Sequence, residues 1–486
     1  MTADLTSITQ ELPAVELPPE DVRRALGGWH NGGVADAIGH RLYLFQRAQA
    51  PGGERHAHNR ILQQGLEQLA QTHAESARIL QLRFLDNWTA EAVANQLNLA
   101  PATFYERQKI AIGQMTAILC DMDMTARRER YIVLEQKLMR PQSNHLIGIR
   151  ERVDELCTQL AHPDESWIIS IEGIGGIGKT TLAGETARSA IRHDTSWENL
   201  AWITVRRTEF MASDAVENKS ILTVGQLLEQ LYVQLVAPTP PPSMDNAQLL
   251  ATLEHYVRHH KCLIVIDNLE RLADIELLLP TLRRLIRPSK FILTSRHSFY
   301  AEGDVFHAAL DELSQENALA LVRAEARSTN LPTVATTADA QLLPIYETAG
   351  GNPLALRLIV GQLHVFGLHQ VLMDLKEVRS QSAEKLYTFI FRRAWDHLSE
   401  AARCLFVAMI FTTPDGDTLE ELTELCRGEG PDATLTSADL RSGLTQLVTL
   451  NLVESRGDLF ERRFTIHNLT RSFLHKQVKL WQEPSP

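Results

Sequence analysis

One stretch constrains the chain more than any other: Trp167 to Ala187 reads WIISIEGIGGIGKTTLAGETA. The apolar run Trp167 to Ile171 has the composition of a buried strand. It passes into Gly173, Gly175, Gly176 and Gly178, then Lys179, Thr180 and Thr181, and on into helix-forming sequence. The order predicts strand, glycine loop and helix. Glycines let successive backbone N–H groups, including that of Ile177, curl round an anion; Lys179 can reach outer phosphates, and the Thr180 hydroxyl can hold Mg²⁺. The positive end of the following helix dipole adds to the same field. The pattern G-x-x-x-x-G-K-[ST] should arise by chance on the order of once or twice per hundred chains of this length.

The residues beyond the loop read as the rest of a parallel sheet. Leu200 to Val205 (LAWITV) is a second apolar strand, and Ile221 to Leu235 and Asn246 to His259 are helical on either side of a proline-rich loop at Pro238 to Pro242. Cys262 to Asp267 reads CLIVID, a branched apolar run ending in a carboxylate. At that end of a parallel strand an acid faces the phosphate loop and can serve Mg²⁺ through a water. FILTS, Phe291 to Ser295, is the next strand, and Arg296 after it is placed to touch a terminal phosphate.

Composition sets the outer limits. With 486 residues, 44% of them hydrophobic, the chain divides into roughly three or four domains. The formal net charge of −12 excludes a mainly electrostatic DNA coat protein. Cys120, Cys157, Cys262, Cys404 and Cys426 are scattered with no C-x-x-C, so they are expected as reduced thiols without disulfides or zinc. The acidic N-terminal stretch has no basic start followed by an apolar core, so no signal peptide is expected from it, and no apolar run approaches the ~20 residues of a membrane span. A cytoplasmic protein is expected.

Ahead of the loop, residues 1–20 read as a mobile tail, 21–125 as a helical region and 126–144 as a linker that includes a polar helix from Met124. Within Leu82 to Leu119, Ala92, Val93, Leu97, Leu99, Phe104 and Ile110 are expected to form a small core between two crossing helices. Thr89 is the expected N-cap of the first, Asn98 the left-handed turn residue, and Pro101 the first-turn residue of the second. This segment resembles the helix-turn-helix of region 4 of bacterial sigma factors. Its outward positions, Ala100, Pro101, Ala102, Tyr105, Glu106 and Lys109, with Arg107 and Gln108 beside them, offer few donors to base edges. A small basic group stands at Arg127, Arg128 and Arg130. DNA contact and protein docking both remain open for these helices.

With these landmarks in order, Leu146 to Lys479 resembles the NB-ARC group of signal-transduction (STAND) ATPases. The matching pieces are GIGGIGKTT at Gly173 to Thr181, LIVIDN at Leu263 to Asn268, LTSRH at Leu293 to His297, LDELSQENALAL at Leu310 to Leu321, GNPLAL at Gly351 to Leu356 and FTIHNL at Phe464 to Leu469. The resemblance implies a multidomain α/β plus α protein: a parallel-sheet P-loop NTPase core over 145–309, a helical domain over 310–385 and a winged-helix domain over 386–480, with Gly457-Asp458 as the hairpin turn and 481–486 as a tail. Carried over residue by residue, it implies Lys179 and Thr180 on phosphate and Mg²⁺, Asp267 on the metal and Arg296 on the γ-phosphate. Pro353 would pack on the base, and His467 would reach the β-phosphate of ADP.

Three positions depart from the family pattern. Asn268 stands where a second acid often follows the metal-binding aspartate, with Glu270 two residues on, which implies slow ATP hydrolysis or another catalytic group. Ile149 replaces an arginine, with Arg150 adjacent, and Asn468 replaces the aspartate after the locking histidine. No internal repeat of about 30 to 45 residues follows, so the usual sensor array is expected to be missing, truncated or supplied by a partner.

The expected function is an ADP/ATP-operated switch, with oligomerisation expected in the ATP form. Two outputs fit the N-terminal helices. One is a bacterial-type transcriptional regulator that contacts DNA when the switch opens; the other is an antiphage-type signalling ATPase that recruits a protein effector. A dedicated motor fits less well because of Asn268.

Overall fold

A computed structural model describes residues 12–31, 38–48, 53–139, 146–205, 222–241, 243–269, 272–299, 302–376, 391–413, 416–426, 436–457, 461–467, 470–471 and 473–474. They form two compact units, one within 1–136 together with 191–196, the other within 137–190 and 197–486.

The second unit is built on a parallel sheet. Strands β1 (Ile168–Glu172), β2 (Asn199–Thr204), β3 (Cys262–Leu269), β4 (Lys290–Ser295) and β5 (Val305–Ala309) lie in the order β2-β3-β4-β1-β5, all parallel. β1 and β4 are buried along their whole length, which is why their sequences are continuous apolar runs rather than alternations. Register aligns Glu172 with Ser295 and Thr204 with Asp267, so the segments that leave the carboxyl ends of β1, β3 and β4 emerge side by side. That edge is where open parallel sheets bind ligands. Helices Val224–Leu235 and Asn246–His259 cover the sheet with Leu227, Leu231 and Leu253. Each starts with a reciprocal capping box, Thr223 with Gln226 and Asp245 with Gln248.

β4 begins one residue earlier than the apolar run suggested, at Lys290, whose side chain is buried. Its ammonium donates to the carbonyl oxygens of Gln159, His162 and Glu165 and lies 5.3 Å from the centre of the Trp167 ring. A cation thus closes the C-terminal end of helix Arg150–Ala161, where the dipole favours it. Burial, helped by Lys261, draws its pKa down to about 8, which leaves it charged at neutral pH. Three carbonyl acceptors offset the cost of desolvating that charge.

After β5 come helices Gln315–Ser328, Pro332–Thr336, Asp339–Ala349, Pro353–Gln362 and Leu368–Lys376. Helices Glu400–Ala408, Leu419–Cys426 and Ser437–Thr449 follow, then the antiparallel pair β6 (Glu454–Gly457) and β7 (Arg462–Thr465). One hydrophobic core runs through this region from Ala318 to Leu474. Asn451, in the left-handed conformation at φ 55°, donates to the carbonyl of Arg357 at 2.9 Å and fastens the end of Ser437–Thr449 to Pro353–Gln362. Of the expected hairpin turn, Gly457 ends β6 and Asp458 falls outside the described residues.

The first unit holds helices Pro19–Gly27, Tyr43–Gln46, Glu54–Thr72, Ala74–Leu80, Ala90–Gln96 and Pro101–Glu135. Thr89 caps Ala90–Gln96 by accepting from the Ala92 N–H, Asn98 has φ 55°, and Pro101 opens the long helix. Three expectations are corrected. Leu17, assigned to the tail, is buried beside Val22 and Leu26, because the helix starts as early as Pro19. Ile110, assigned to the small core, is 58% exposed. The buried face of its helix runs through Phe104, Gln108, Ala111 and Met115, and Ile110 points away from that stripe at 3.6 residues per turn. The separate linker helix from Met124 is the last third of Pro101–Glu135. Among the described residues, no helix is long and apolar enough to cross a membrane.

Candidate functional site

The glycine loop follows β1 and ends where helix Lys179–His193 begins. Gly176 has φ +74°, and a Cβ there would lie 2.8 Å from the Cβ of Leu354, so both backbone and space demand glycine. The Lys179 ammonium donates to the carbonyls of Gly173 at 2.8 Å and Ile174 at 2.9 Å, which holds it over the loop. The Thr180 hydroxyl donates to Asp267 Oδ1 at 2.7 Å, and Thr294 Oγ1 donates to the same oxygen at 2.7 Å. Asp267 is buried. A hydroxyl from the loop and a carboxylate from β3 are thereby brought together, and hard oxygen donors of this kind suit Mg²⁺.

Asn268 has a structural task. It adopts φ 72°, its N–H donates to Thr294 Oγ1 at 2.8 Å, and its side-chain amide donates to the Val205 carbonyl at 3.0 Å. An aspartate could not make that last bond. Glu270, the other candidate acid, lies outside the described residues, as does Asn468.

Glu172, at the end of β1, accepts from the Phe299 N–H at 2.8 Å and from His307 Nδ1 at 3.0 Å. Burial alone would raise its pKa, but hydrogen bonds, from His307 and Phe299 above all, outweigh burial and hold the carboxyl below its ordinary value. The charged carboxylate anchors the segment that carries Arg296.

The other half of the site comes from the helical region. Asn352 is buried; its Oδ1 accepts from the N–H groups of Leu354 and Ala355 at the start of Pro353–Gln362, and its Nδ2 donates to the Gly175 carbonyl at 3.0 Å. One side chain therefore caps a helix and grips the glycine loop. A cleft of about 200 Å³ lies between these parts. Gly176, Ile177, Gly178 and Thr181 line it, with Pro353, Leu354, Arg357, Glu454 and His467 among the other walls and Ile147, Ile149, Leu313 and Asn317 adding an apolar end with one amide. Desolvation pulls the His467 pKa down to about 4; Glu454 opposes this, and Lys179, Arg296 and Arg357 reinforce it, so the imidazole is neutral at pH 7.

Of the residues expected from sequence, Gly176, Ile177, Gly178, Thr181, Pro353 and His467 line the cleft, while Gly173, Gly175, Lys179, Thr180 and Asp267 belong to the hydrogen-bonded network around the loop. The sequence reading missed Asn352, Arg357, Glu454 and Arg152. Asn352 was legible as an N-cap before a proline, but its reach to Gly175 was not. Arg152, rather than the exposed Arg150, lines the cleft beside Ile149, because residues three apart share a helix face.

In the first unit, Arg107 forms an ion pair with Glu75 and Gln108 is buried. Arg127 donates to the buried Asp123 at 2.6 Å, and the largely buried Arg130 donates to the carbonyls of Ile191 at 2.8 Å and Asp194 at 2.9 Å. Much of the expected basic surface is therefore engaged within the unit. No group of three or more His, Cys, Asp or Glu side chains able to hold a metal occurs among the described residues.

Residues 149–331 match the NB-ARC domain. A disease resistance protein of Arabidopsis thaliana is 30% identical over 38% of this chain and 19% of its own length, and a second from the same plant is 28% identical over 54% of this chain and 28% of its own. This chain thus aligns with about a fifth to a quarter of the length of the curated relatives it matches. A STAND protein with a tetratricopeptide repeat sensor from Pyrococcus horikoshii superposes with a TM-score of 0.42 at 17% identity, covering 70% of this chain and 44% of that one.

Proposed function

From the NB-ARC domain at residues 149–331, we propose that this chain is a signalling switch operated by ADP and ATP. The observation that carries the proposal is the single cleft walled by the glycine loop, Pro353 and His467. The loop N–H groups and Lys179 would hold the phosphates, Thr180 and Asp267 the Mg²⁺, and Arg296 the γ-phosphate. Bound Mg²⁺ would neutralise phosphate charge. Asn352 keeps the helical region on the loop, and Pro353 presents its ring to the base. A neutral His467 can donate one hydrogen bond to a β-phosphate oxygen without a change of protonation. With Asn268 committed to Val205, hydrolysis is slow and nucleotide identity sets the state.

Replacing His467 with alanine is expected to speed ADP release about tenfold, the value of one hydrogen bond to a charged acceptor, and to change ATP affinity by less than about twofold. Stopped-flow release of a fluorescent ADP, paired with ATP titration, reads both numbers. Equal losses for the two nucleotides would argue against a lock on the ADP form.

For the output, the Arg107–Glu75 pair and the buried Gln108 favour recruitment of a cytosolic protein effector over DNA. Fluorescence polarisation with duplex DNA should then give no binding that depends on nucleotide, with ADP or with a non-hydrolysable ATP analogue, down to low salt. DNA binding that tightens only with the analogue and falls steeply with salt would reinstate a transcriptional regulator. A sensor partner and self-assembly in the ATP form belong to the same proposal.

A further inference from the structure

Arg357 brings a positive charge into the cleft from the helical region. It stands four residues after Pro353 in helix Pro353–Gln362, so the two share a helix face, and both line the cleft. Its ion-pair partner, Glu325 of helix Gln315–Ser328, lies 3.6 Å from Nε, beyond hydrogen-bond reach, and Nε is buried without a hydrogen bond among the described residues. The side chain nevertheless keeps 22% exposure, against 14% for Glu325. A guanidinium carries five N–H donors, and one carboxylate held this loosely does not satisfy them. Withdrawing such a cation from water is costly until a second anion reaches it.

The backbone beneath the side chain is fixed. Asn451 donates to the Arg357 carbonyl at 2.9 Å, and at the start of the same helix Asn352 donates to the Gly175 carbonyl at 3.0 Å. The helix is seated on the glycine loop at one end and on the turn before β6 further along, so the guanidinium is presented from a preorganised base.

We propose that Arg357 is a second cation for the nucleotide: its guanidinium donates to a phosphate oxygen of bound ADP, adding charge from the helical region to that of Lys179 from the loop. The inference rests on the nucleotide-switch reading above and adds to it a residue that meets the phosphates from the helical side. Only the phosphates of a nucleotide carry negative charge, and guanidinium N–H groups match phosphate oxygens two at a time. Glu325 then steadies the side chain without saturating it. The residue that meets the phosphate is also the one whose carbonyl the turn before β6 grips, so phosphate contact and the seating of β6 meet at one position.

Isothermal titration of the full chain with ADP, over a salt series, compares the parent with Arg357→Gln and Arg357→Lys. Arg357→Gln should weaken ADP binding about tenfold at low salt, the difference should narrow as salt rises, and Arg357→Lys should stay within about threefold of the parent. Because Arg357→Gln also takes an ion-pair partner from Glu325, each variant is melted without nucleotide, and Glu325→Gln is combined with Arg357→Gln to remove both charges. The double variant should melt close to the parent yet keep the whole loss of ADP affinity. Recovery of ADP affinity in the double variant would overturn the proposal and leave Arg357 as a partner of Glu325 alone. A loss that is equal at every salt concentration and is not repaired by lysine would overturn it too, since a contact with the base behaves that way. A parent protein that binds no ADP would overturn the nucleotide reading itself, and this inference with it.

Discussion

Lys179→Ala is expected to weaken ADP binding by about a hundredfold, corresponding to about 3 kcal/mol for two charge-assisted hydrogen bonds to phosphate. The side chain is held over the loop by the Gly173 and Ile174 carbonyls, so it is preorganised and loses little rotamer freedom when it turns to an anion. The same substitution should barely alter the fold, because those two carbonyls can be solvated at the partly exposed loop. Isothermal titration with ADP measures the affinity, and a thermal melt without nucleotide measures the stability. Unchanged affinity would remove the phosphate loop from the site even though the sheet around it stood.

Local signals in the sequence carried much of the nucleotide-binding core. Strand runs such as CLIVID are continuous because both faces of the sheet are covered, and the order of glycines, Lys179 and Thr180 fixes a strand, loop and helix in one reading. What remained hidden depends on distance in the chain. Asn352 reaches Gly175 across 177 positions, and no periodicity announces such a bond. Lys290 stands just outside the apolar run FILTS, and its three acceptors are carbonyls of a different segment, so nothing local marks it as buried. Asn268 looked like a lost acid, whereas its amide serves the Val205 carbonyl. Ile110 was misplaced for a simpler reason: in a helix that is partly apolar all round, composition does not say which stripe is buried.

Gly351→Ala is expected to damage both stability and nucleotide binding, and the cause is the close approach of two backbones. A Cβ at Gly351 would stand 2.1 Å from the Leu313 carbonyl oxygen and 2.6 Å from its nitrogen. The two residues are also tied directly, since the Leu313 N–H donates to the Gly351 carbonyl at 2.9 Å and the Gly351 N–H donates to Glu312 Oε2 at 3.0 Å. Both crowding atoms belong to the Leu313 backbone, so a methyl group must push the segments apart. Overpacking of this kind costs about 3 kcal/mol, which for a unit of this size should lower the melting temperature by roughly 5 to 10 °C. The displacement would also move the next residues, Asn352 on the glycine loop and Pro353 in the cleft, so ADP affinity should fall at least about tenfold even at temperatures where the variant is folded. Gly367→Ala is the matched control: no atom lies within 4 Å of its added Cβ, and it should melt within about 2 °C of the parent. If Gly351→Ala melts and binds as Gly367→Ala does, the helical region does not clasp the loop through this turn, and the clamp on nucleotide must be sought at Asn352 alone.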